Sequence, residues 1–431
     1  MTTPKTDILK TDTLSKLEQR LVELNQYKID FGLERLKTVI ERLNLTHNLP
    51  QIITVGGTNG KGSTVAALSS LLKIKSNSKS LAFGAFTSPH IFKFNERINI
   101  NGRLATDEEI LNAFEIIDAA KAEIDLSYFE YAFLAAVLLF KQYEVDVMLL
   151  EVGLGGRLDA VNCMNADASI VTTVDLDHIS WLGDNIESIA HEKAGIMRAN
   201  NPVIFGDKNT PVAITKHANK VGAKLIQLEQ DYQVKLEDNT FNYSYLTHSY
   251  AGLKQPHLKG DWQIKNFSSA LTALLALGYR FNAEEVQDAI DGWQLKGRLQ
   301  TIQTEPLVLA DVAHNRQAVQ LLAQYLKDNP IKGQTRAVFS VLADKQLHTW
   351  LSDLDAVIDH WFIFELAGER ALDILSLKTA LADHVSLFSQ YDSGQQAYDM
   401  ALKCSEAEDR VIVFGSFHVL EGVFENQINE P

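Results

Sequence analysis

A glycine-rich stretch near the start of the chain carries residue types that bind nucleotide phosphates. It reads VGGTNGKGST over residues 55–64. Glycines let the backbone approach an anion, amides at a helix start attract phosphate oxygens, and Lys61 and Ser63 can reach the terminal phosphates and Mg²⁺. The stretch departs from the strict GxxxxGK[ST] pattern, because Val55 stands at the first glycine position and Gly62 separates the lysine from the serine. An ordinary glycine turn is the alternative.

An acid and a histidine stand where buried strands are expected to end. Glu151 closes one apolar run, and His178 follows the next one in the sequence DLDH. An acid at the end of a parallel strand can bind Mg²⁺ directly or through water. Imidazole is an unusual partner for so hard an ion, and a lone histidine at such a position is more often structural. Asp175 and Asp177 could equally be loop caps.

Residues 153–159 form a second glycine-rich run, GLGGRLD. Three glycines, an arginine and an aspartate within seven residues suit close approach of the backbone to a ligand. A tight turn from strand to loop explains the same residues equally well.

Hydrophobic periodicity predicts the elements that position these residues. Residues 13–45 predict two short helices joined by a glycine turn. Strands are predicted at 51–55, 146–152 and 168–174, and helices at 62–75, 129–143 and, after a capping box formed by Asp184 and Glu187, up to about Arg198. Strands that alternate with helices imply parallel pairing.

The later part of the chain predicts a different arrangement. Residues 232–257 alternate in polarity and predict a hairpin, a helix is predicted at 263–277, and new strands are predicted near 306–311, 336–341, 361–365 and 410–415. We therefore predict an α/β protein of two domains. Residues 1–296 would form a large P-loop nucleotide-binding domain with a mostly parallel sheet and a small antiparallel patch, and 297–431 a smaller Rossmann-like α/β domain.

Composition restricts the classes of function. The 431 residues carry 40 Lys and Arg against 55 Asp and Glu, a net charge of −15, which argues against a general nucleic-acid binder but not against an anionic small substrate. Cys163 and Cys404 are far apart and support neither a disulfide framework nor a zinc site. The first residues lack a secretory signal, and the longest apolar run, 132–140, is too short to span a bilayer. We expect a cytoplasmic protein without a membrane partner.

Ten short motifs, in order along the chain, resemble the folylpolyglutamate synthase and dihydrofolate synthase family, relatives of the Mur cell-wall ligases. They are DFGLER (30–35), GTNGKGS (57–63), TSPH (87–90), NERI (95–98), YFEY (128–131), EVGLGGRLDAVN (151–162), DH (177–178), EKAGI (192–196), GR (297–298) and DVAHN (311–315), and GSFH (415–418) extends the series. One such motif is weak evidence, whereas ten in order are strong.

The resemblance implies an ATP-dependent ligase that phosphorylates a carboxylate and then joins the acyl group to the amine of L-glutamate. The DFGLER and YFEY segments resemble the bifunctional bacterial form, which makes dihydrofolate from dihydropteroate and adds glutamates to reduced folates. A folylpolyglutamate synthase alone, a Mur-type amino-acid ligase and a non-catalytic nucleotide sensor are the alternatives. The expected partners are dihydropteroate, reduced folates and L-glutamate, with no nucleic acid, and the resemblance favours a monomer.

The resemblance also implies roles for individual residues, with ATP and two Mg²⁺ ions as cofactors. Nucleotide contacts are expected from Thr58, Asn59, Gly60, Lys61, Gly62, Ser63, Asn266, Arg298 and Asp311. Metal ligands are expected from Ser63, Ser88, Glu151, His178 and Lys193. Lys193 would be carbamylated, because an ammonium cannot ligate a cation whereas a carbamate is an anionic donor. Catalytic roles fall to Lys61, Glu151, His178, Lys193 and His314. Trp262-Gln263 stands where many relatives have His-Gln, which weakens the assignment of Asn266.

The pterin site is placed by the same resemblance on three segments. Its residues are Asp30, Phe31, Gly32 and Leu33, then Ser127, Tyr128, Phe129 and Glu130, and finally Leu158, Asp159 and Ala160. The aromatic side chains offer flat faces to a heteroaromatic ring, and Asp30 or Asp159 can bind its amino edge. Core packing is the alternative for the aromatic residues.

Overall fold

A computed structural model describes residues 15–24, 32–79, 81–345, 347–368 and 370–424, without the side chains of 76–79. Its largest sheet has eight strands: β1 (Gln51–Gly56), β2 (Phe83–Phe86), β3 (Ile98–Ile100), β4 (Arg103–Leu104), β5 (Val147–Glu151), β6 (Ala168–Val171), β7 (Pro202–Phe205) and β8 (Lys224–Gln227). The order is β4-β3-β2-β5-β1-β6-β7-β8. All pairings from β2 to β8 are parallel, and β3 and β4 are antiparallel at one edge.

Helices cover both faces of this sheet, which explains why its central strands are continuous apolar runs. The helices are α1 (Lys16–Leu24), α2 (Leu33–Arg42), α3 (Lys61–Lys79), α4 (Asp107–Lys121), α5 (Tyr128–Gln142), α6 (Ile179–Leu182), α7 (Ile186–Ala194), α8 (Val212–Val221), α9 (Asp261–Ala276) and α10 (Ala283–Asp291). One core contains the apolar side chains of α1, α2, α4, α5, α7 and α8. The other contains those of α3, α9 and α10.

The predicted antiparallel patch is confirmed, and it has one strand more than a hairpin. Strands β9 (Tyr232–Leu236), β10 (Thr240–Tyr245) and β11 (His248–Lys254) form a three-stranded sheet. Its tyrosines pack onto α9, where the Tyr243 hydroxyl lies 2.7 Å from Thr272 Oγ1 and the Tyr232 hydroxyl 3.0 Å from Ser269 Oγ.

A second α/β unit follows residue 297. Its strands are β12 (Gln300–Thr304), β13 (Leu307–Ala310), β14 (Thr335–Phe339), β15 (His360–Ile363), β16 (Phe388–Gln390) and β17 (Arg410–Phe414), in the order β12-β13-β17-β14-β15-β16. Its helices are α11 (Arg316–Asp328), α12 (Leu351–Asp355), α13 (Ile374–Ala382), α14 (Gly394–Lys403) and α15 (Phe417–Phe424). Among the described strands of this sheet, β12 alone pairs antiparallel. The predicted fold class is therefore confirmed, although the short strands β12 and β16 were not predicted.

One predicted helix start is wrong. The cap of α7 is Asn185, whose side chain accepts from the Ser188 amide at 2.9 Å, and not Asp184. Glu187 does not close a capping box, because its carboxylate accepts from the amides of Val212 and Ala213 at the start of α8. The helix ends at Ala194 with Gly195 as its cap, earlier than the predicted Arg198.

The two short helices predicted in residues 13–45 are confirmed as α1 and α2. The turn proposed between them, with Asp30 and Phe31, lies outside the described residues. Within the described ranges, no helix has the length and apolar character needed to cross a membrane.

Candidate active site

The carboxyl ends of parallel strands from both α/β units lie around one cavity, which has a volume of about 180 Å³. It is called here the central cavity. The loop after β1 begins at Gly57, Ser88 follows β2, Glu151 ends β5, and Asp311 follows β13. The functional residues predicted outside the pterin site all line it: Thr58, Asn59, Gly60, Lys61, Gly62, Ser63, Ser88, Glu151, His178, Lys193, Asn266, Arg298, Asp311 and His314. The structure therefore brings together residues that are up to 256 positions apart.

The loop between β1 and α3 is fixed by the segment that follows β6. The Thr58 amide donates to the Thr173 carbonyl at 2.9 Å, and the Asn59 amide donates to Thr173 Oγ1 at 3.1 Å. The Thr58 hydroxyl donates to the Asp175 carbonyl at 3.1 Å. Because these bonds lie within the protein, the loop is shaped before a ligand arrives, which lowers the cost of ordering it on binding.

Two glycines of this loop are required by the backbone and its neighbours. Gly57 has φ +144°, and a Cβ atom there would lie 1.8 Å from Thr172 Oγ1. Gly60 has φ +86°, and a Cβ atom there would lie 2.5 Å from Asn266 Oδ1. Any side chain at either position would clash and strain the turn.

Lys61 begins α3 and folds back over the loop. Its ammonium donates to the carbonyls of Gly57 and Thr58 at 3.0 and 3.2 Å. Burial lowers the pKa of Lys61, while the nearby Glu151 carboxylate acts in the opposite direction. The cation is thus held beside the helix start, where the amides and the helix dipole favour an anionic ligand.

Glu151 is a buried carboxylate that accepts few hydrogen bonds from the protein. Its side chain accepts from the Ser88 amide at 3.1 Å, and the residue is 4% exposed. Burial raises the pKa of Glu151 to about 7, although Lys61, the Ser88 amide and Arg298 oppose the rise. A bound cation would stabilise the ionised form in this position.

Lys193 lies on α7 and faces the same cavity. It is 3% exposed, and within the described residues the structure gives its ammonium no hydrogen bond and no ion pair. Burial and, to a smaller extent, the charge of Lys61 lower the pKa of Lys193 to about 7. A neutral amine is therefore accessible near neutral pH.

A divalent metal in the central cavity would need ligands of several types, namely carboxylate, imidazole and hydroxyl groups. The described residues contain no group of three His, Cys, Asp or Glu side chains that could hold a metal ion. From the predicted ligands, the central cavity instead offers the Glu151 carboxylate, the His178 imidazole and the hydroxyls of Ser63 and Ser88. Modification of Lys193 to a carbamate would add the oxygen donors that Mg²⁺ prefers.

Asp177 is the centre of a polar cluster that sequence reasoning did not assign to the site. Its carboxylate accepts from Lys345 Nζ at 2.8 Å and from Asn315 Nδ2 at 2.9 Å. Burial alone would raise the pKa of Asp177, but Lys345, His178 and His314 together outweigh burial and hold that pKa well below its usual range. The Nε2 atoms of His178 and His314 lie 4.0 and 3.9 Å from the carboxylate.

Both histidines of this cluster are neutral near pH 7. Burial lowers the pKa of His178 to about 4, and burial followed by the charge of Lys345 lowers that of His314 to about 4. Neutral imidazole is the form that can ligate a metal or accept a proton. His314 Nδ1 lies 2.7 Å from the Val312 carbonyl, which leaves Nε2 directed towards Asp177.

The second α/β unit touches the nucleotide loop through polar side chains. Asn59 Nδ2 donates to Asn315 Oδ1 at 3.1 Å and to Gln317 Oε1 at 2.6 Å. Lys345, in the loop after β14, adds the ion pair with Asp177. Asp344-Lys345 lies in the loop that follows the parallel strand β14, and this position was the available sequence signal for Lys345, since the carboxyl ends of such strands line crevices.

Arg298 and Asp311 stand where the two units meet. Asp311 accepts from the amides of Leu299 and Ala313 at 2.8 and 2.7 Å, so its orientation is fixed by the chain. Burial raises the pKa of Asp311, against the opposing charge of Arg298. The Arg298 guanidinium lies over the Phe417 ring, 5.3 Å from its centroid, a contact that sequence reasoning also missed.

One wall of the central cavity comes from α9. Trp262, Gln263 and Asn266 line it, and Asn266 Nδ2 donates to Gln263 Oε1 at 3.1 Å. A half-buried indole beside two amides is suited to a flat nitrogen heterocycle.

The segments predicted to bind the pterin converge elsewhere, at the starts of three helices. Gly32 precedes α2, Ser127 caps α5, and Asp159 caps a 3-10 helix at Ala160–Cys163. Arg35 of α2 joins this group by donating to Glu130 Oε1 at 3.1 Å. None of the described residues among those predicted lines the central cavity.

The polar side chains of these segments mainly support the backbone. Ser127 and Glu130 form a capping box, and Asp159 accepts from the amides of Leu154 and Val161 at 2.9 and 3.0 Å. Phe129 packs on Phe86, with ring centroids 5.6 Å apart, and the Arg97 guanidinium lies 5.3 Å from the Tyr128 ring centroid.

A larger opening, called here the side groove, adjoins the central cavity and has a volume of about 810 Å³. It runs along α3 and past residues 292–301, which connect α10 to β12. Gly62, Ser88, Glu151 and Arg298 line both spaces. No local sequence pattern predicts this groove.

Comparison with known proteins gives the same assignment in both parts of the chain. Residues 55–274 match the Mur ligase middle domain, and residues 297–417 match the glutamate ligase domain of Mur ligases. The dihydrofolate synthase/folylpolyglutamate synthase of Escherichia coli (strain K12) is 37% identical over 405 residues, which are 94% of this chain and 93% of the relative. The chain belongs to the dihydrofolate synthase/folylpolyglutamate synthase family of Mur ligases.

Solved structures of this family have the same fold. Escherichia coli FolC in complex with DHPP and ADP matches with a TM-score of 0.88 and 37% identity, covering 94% of this chain and 96% of that one. A bifunctional folylpolyglutamate synthase/dihydrofolate synthase with Mn, AMPPNP and L-glutamate bound matches with a TM-score of 0.88 and 35% identity, covering 95% and 97%. The predicted family and the predicted class of enzyme, a ligase, are confirmed.

Proposed function

We propose that this family member joins L-glutamate to dihydropteroate, which gives dihydrofolate, and then adds glutamates to reduced folates. The observation that carries the proposal is the central cavity, where a preformed phosphate loop faces a buried carboxylate and a buried amine. The names of the relatives, and the nucleotide, metal and glutamate in the solved structures, support the same reaction. ATP and Mg²⁺ are the proposed cofactors.

The reaction needs an activated carboxylate, because a carboxylate does not react directly with an amine. ATP transfers its γ-phosphoryl group to the acid, the amine of L-glutamate attacks the acyl phosphate, and phosphate leaves as the amide forms. The proton lost by the amine passes to a base. Phosphoryl transfer depends on positioned charge around the phosphates, which Mg²⁺ bound at the proposed ligands would supplement.

Different residues of the chain would bind the nucleotide, bind the metal and accept the proton. The amides of the loop from Thr58 to Ser63 orient the phosphates, and Lys61 offsets the charge that develops on them. Asn266, Arg298 and Asp311 are the proposed nucleotide contacts outside the loop. Ser63, Ser88, Glu151, His178 and Lys193 are the proposed metal ligands, and His314 is placed to accept a proton because it is neutral and exposes Nε2 to the cluster.

Carbamylation of Lys193 forms part of the proposal. A neutral lysine amine attacks CO₂, forms an N–C bond and loses a proton. The burial that lowers the pKa of Lys193 favours the neutral amine, and the absence of a hydrogen-bond partner among the described residues leaves it accessible. The product would be an anionic oxygen donor in the cavity that Glu151 and Ser63 also line, and it would complement a divalent cation.

The remaining assignments complete the proposal. We place the pterin at Asp30 to Leu33, Ser127 to Glu130 and Leu158 to Ala160. The domains would be residues 1–296 and 297–431, which close on each other around the Arg298 hinge. The protein would act as a monomer in the cytoplasm.

The deciding experiment supplies ATP, Mg²⁺ and L-glutamate with one acid at a time. Dihydropteroate alone should yield a single dihydrofolate product by mass spectrometry, and a reduced folate alone should yield a ladder of added glutamates. A ladder without dihydrofolate formation would mean that the protein is a folylpolyglutamate synthase only. The absence of phosphate release with both acids would overturn the proposal.

A further inference from the structure

Two of the proposed metal ligands lie on elements that a single loop brings together. Glu151 ends β5, and Lys193 lies in the last turn of α7. The loop that follows β5, residues 153–162, is called here the clasp loop, and it packs against that last turn. A cation bound by both side chains needs a fixed distance between them. The contact between the clasp loop and α7 is therefore in a position to set this distance.

The clasp loop and α7 are in backbone contact at the residue before Lys193. The Arg157 amide donates to the Glu192 carbonyl at 2.8 Å. A Cβ atom at Gly156 would lie 2.8 Å from the same carbonyl and 3.2 Å from Lys193 Cα. No side chain fits between the loop and the helix here, so a change in their separation would move the backbone of Lys193 directly.

Asn162 ties the end of the clasp loop to the end of the helix. Its Nδ2 donates to the Arg157 carbonyl at 3.0 Å and to the carbonyl of Gly195, the cap of α7, at 3.1 Å. Its Oδ1 and its main-chain carbonyl each accept from Arg198 Nη2 at 2.9 Å. Because a guanidinium can only donate, Arg198 fixes which end of the Asn162 amide faces the two carbonyls.

The ion pair in the same contact is the weaker connection. Arg157 Nη2 lies 2.9 Å from Glu192 Oε1, and the Arg157 side chain is 45% exposed. Exposed ion pairs contribute little, since water and salt screen them. Asn162 is half-buried and donates to main-chain carbonyls on both segments. The larger part of the connection is therefore assigned to Asn162.

We propose that Asn162 is a positioning residue, which sets the place of Lys193 relative to Glu151 by tying the clasp loop to the end of α7. This inference rests on the proposed function and adds to it a residue that is not among the described residues lining the central cavity or the side groove. A displacement of about 1 Å in a group that acts on the reacting atoms can cost about a hundredfold in rate. Two hydrogen bonds outside the cavity can therefore affect turnover strongly.

The test uses Asn162→Asp, which is isosteric and keeps the Oδ1 acceptor for Arg198. It replaces the Nδ2 donor by a second carboxylate oxygen, which then faces the carbonyls of Arg157 and Gly195. The matched control is Asn201→Asp. Asn201 is also half-buried, directly precedes β7 at the amino end of the strand, and donates through Nδ2 to the Ala166 carbonyl at 2.8 Å. Both substitutions thus remove an amide donor and add one negative charge.

Turnover and nucleotide binding should respond differently. Asn162→Asp should lower kcat about tenfold and change the dissociation constant of ATP less than about twofold, because the nucleotide loop is not touched. In a Lys193→Ala background the same substitution should lower kcat less than about twofold, since the group that Asn162 positions is already gone. Asn201→Asp should match its parent enzyme in both backgrounds.

Carbamate detection by ¹³C NMR gives a readout that does not depend on turnover. With labelled bicarbonate, Mg²⁺ should increase the Lys193 carbamate signal of the wild type, because a cation shared with Glu151 stabilises the anion. In Asn162→Asp this increase should be reduced by at least half, and in Asn201→Asp it should equal that of the wild type. Thermal unfolding checks that each variant is folded. Asn162→Ala, which adds no charge, replaces Asn162→Asp by the same criteria if the latter does not fold.

Several results would overturn the inference. They are a wild-type kcat in the Asn162 variant, a wild-type response of its carbamate signal to Mg²⁺, a loss of kcat that persists in the Lys193→Ala background, and an equal loss in Asn201→Asp. In each case the wild type still uses dihydropteroate and reduced folates, so the proposed function stands. A wild type inactive with both acids would overturn the proposed function, and one without a carbamate signal would overturn the carbamylation of Lys193. The inference would fall with either.

Discussion

The central cavity and the side groove differ in how their charges are held. In the central cavity Glu151 is buried, Lys61 and Asp177 are half-buried, and each is bound by the chain itself. In the side groove Lys73 and Lys296 are exposed and have no salt bridge recorded within the described residues. The difference has a physical consequence. A triphosphate has one shape and binds best to a preorganised site, whereas exposed lysines without ion pairs remain free to change rotamer.

The largest effect is expected from removing the cation at the start of α3 in the central cavity. Lys61→Ala should lower kcat/KM about a thousandfold or more with every acid substrate, because the charge beside the phosphates is lost in a site of low dielectric. Phosphate release measures it. Lys220→Ala, which removes a lysine on the exposed face of α8, should behave as wild type. If kcat/KM of the Lys61→Ala enzyme lay within tenfold of the wild-type value, the charge of Lys61 would matter little more for catalysis than that of an exposed lysine.

Replacement of Lys193, in the same cavity, should affect turnover more than it affects ATP binding. Lys193→Ala should lower kcat about a hundredfold and change the dissociation constant of ATP less than about threefold, since the loop amides still bind the phosphates. Equilibrium titration with ATP and single-turnover assays give the two values. Equal losses in both would show that Lys193 acts in nucleotide binding.

The pH dependence follows from the same lysine. Because burial lowers the pKa of Lys193 to about 7, the neutral amine that accepts CO₂ becomes more abundant as pH rises from 6 to 8. Reactivation of enzyme depleted of CO₂ should therefore be faster at pH 8 than at pH 6 when dissolved CO₂ is held constant. A ¹³C carbamate signal that appears with labelled bicarbonate, and is absent in Lys193→Ala, is the direct observation. Reactivation at one rate across this range would contradict the assignment.

A smaller effect is expected from the ion pair between the two α/β units. Lys345→Met should lower kcat/KM about tenfold to a hundredfold, because the half-buried Asp177 carboxylate beside His178 and His314 then loses its cation. The double variant with Asp177→Asn should recover part of the loss, since no unpaired carboxylate remains. A double-mutant cycle on kcat/KM measures the coupling, and purely additive losses would show that the pair has no joint role.

The sequence was sufficient for the parts of the site that depend on neighbouring residues. Gly57 to Ser63, Glu151 and Asp311 each directly follow or end an apolar run, so local pattern and the rule about strand ends located them. Lys345, Phe417 and the side groove depend on contacts between distant segments, which no local pattern records. Asp184 and Asn185 are both good caps, and only the fold shows which one accepts from Ser188.

The short strands illustrate the same limit in the fold. Strand β16 has three residues and little apolar character, so it lacks the periodicity that predicted β13, β14, β15 and β17. Strand β12 is half exposed along its length and pairs antiparallel at the sheet edge. Both strands depend on a partner rather than on their own composition, because β-propensity reflects packing against neighbours.

The smallest effect on activity is expected at the opposite ends of the strands. Arg336 and Asp409, at the amino ends of β14 and β17, form a buried ion pair at 2.6 Å. Burial alone would raise the pKa of Asp409, but the amides of Glu406 and Gln334 and the Arg336 charge outweigh it and lower the pKa. A lowered pKa means that the pair stabilises the fold above about pH 4, the value in the unfolded chain, and that this stability is lost as pH falls further.

Asp409→Asn should therefore lower Tm by about 3–6 °C at pH 7 and leave kcat at 25 °C unchanged, because no residue of this pair lines either cavity. The difference in Tm between the variant and the wild type should shrink below pH 4, where the wild-type carboxyl also loses its charge. Calorimetry across this range tests the sign. A fall in kcat at 25 °C would mean that charges at the amino ends of the strands also influence the reaction. The charges that line the two cavities would then not be the only ones that affect catalysis.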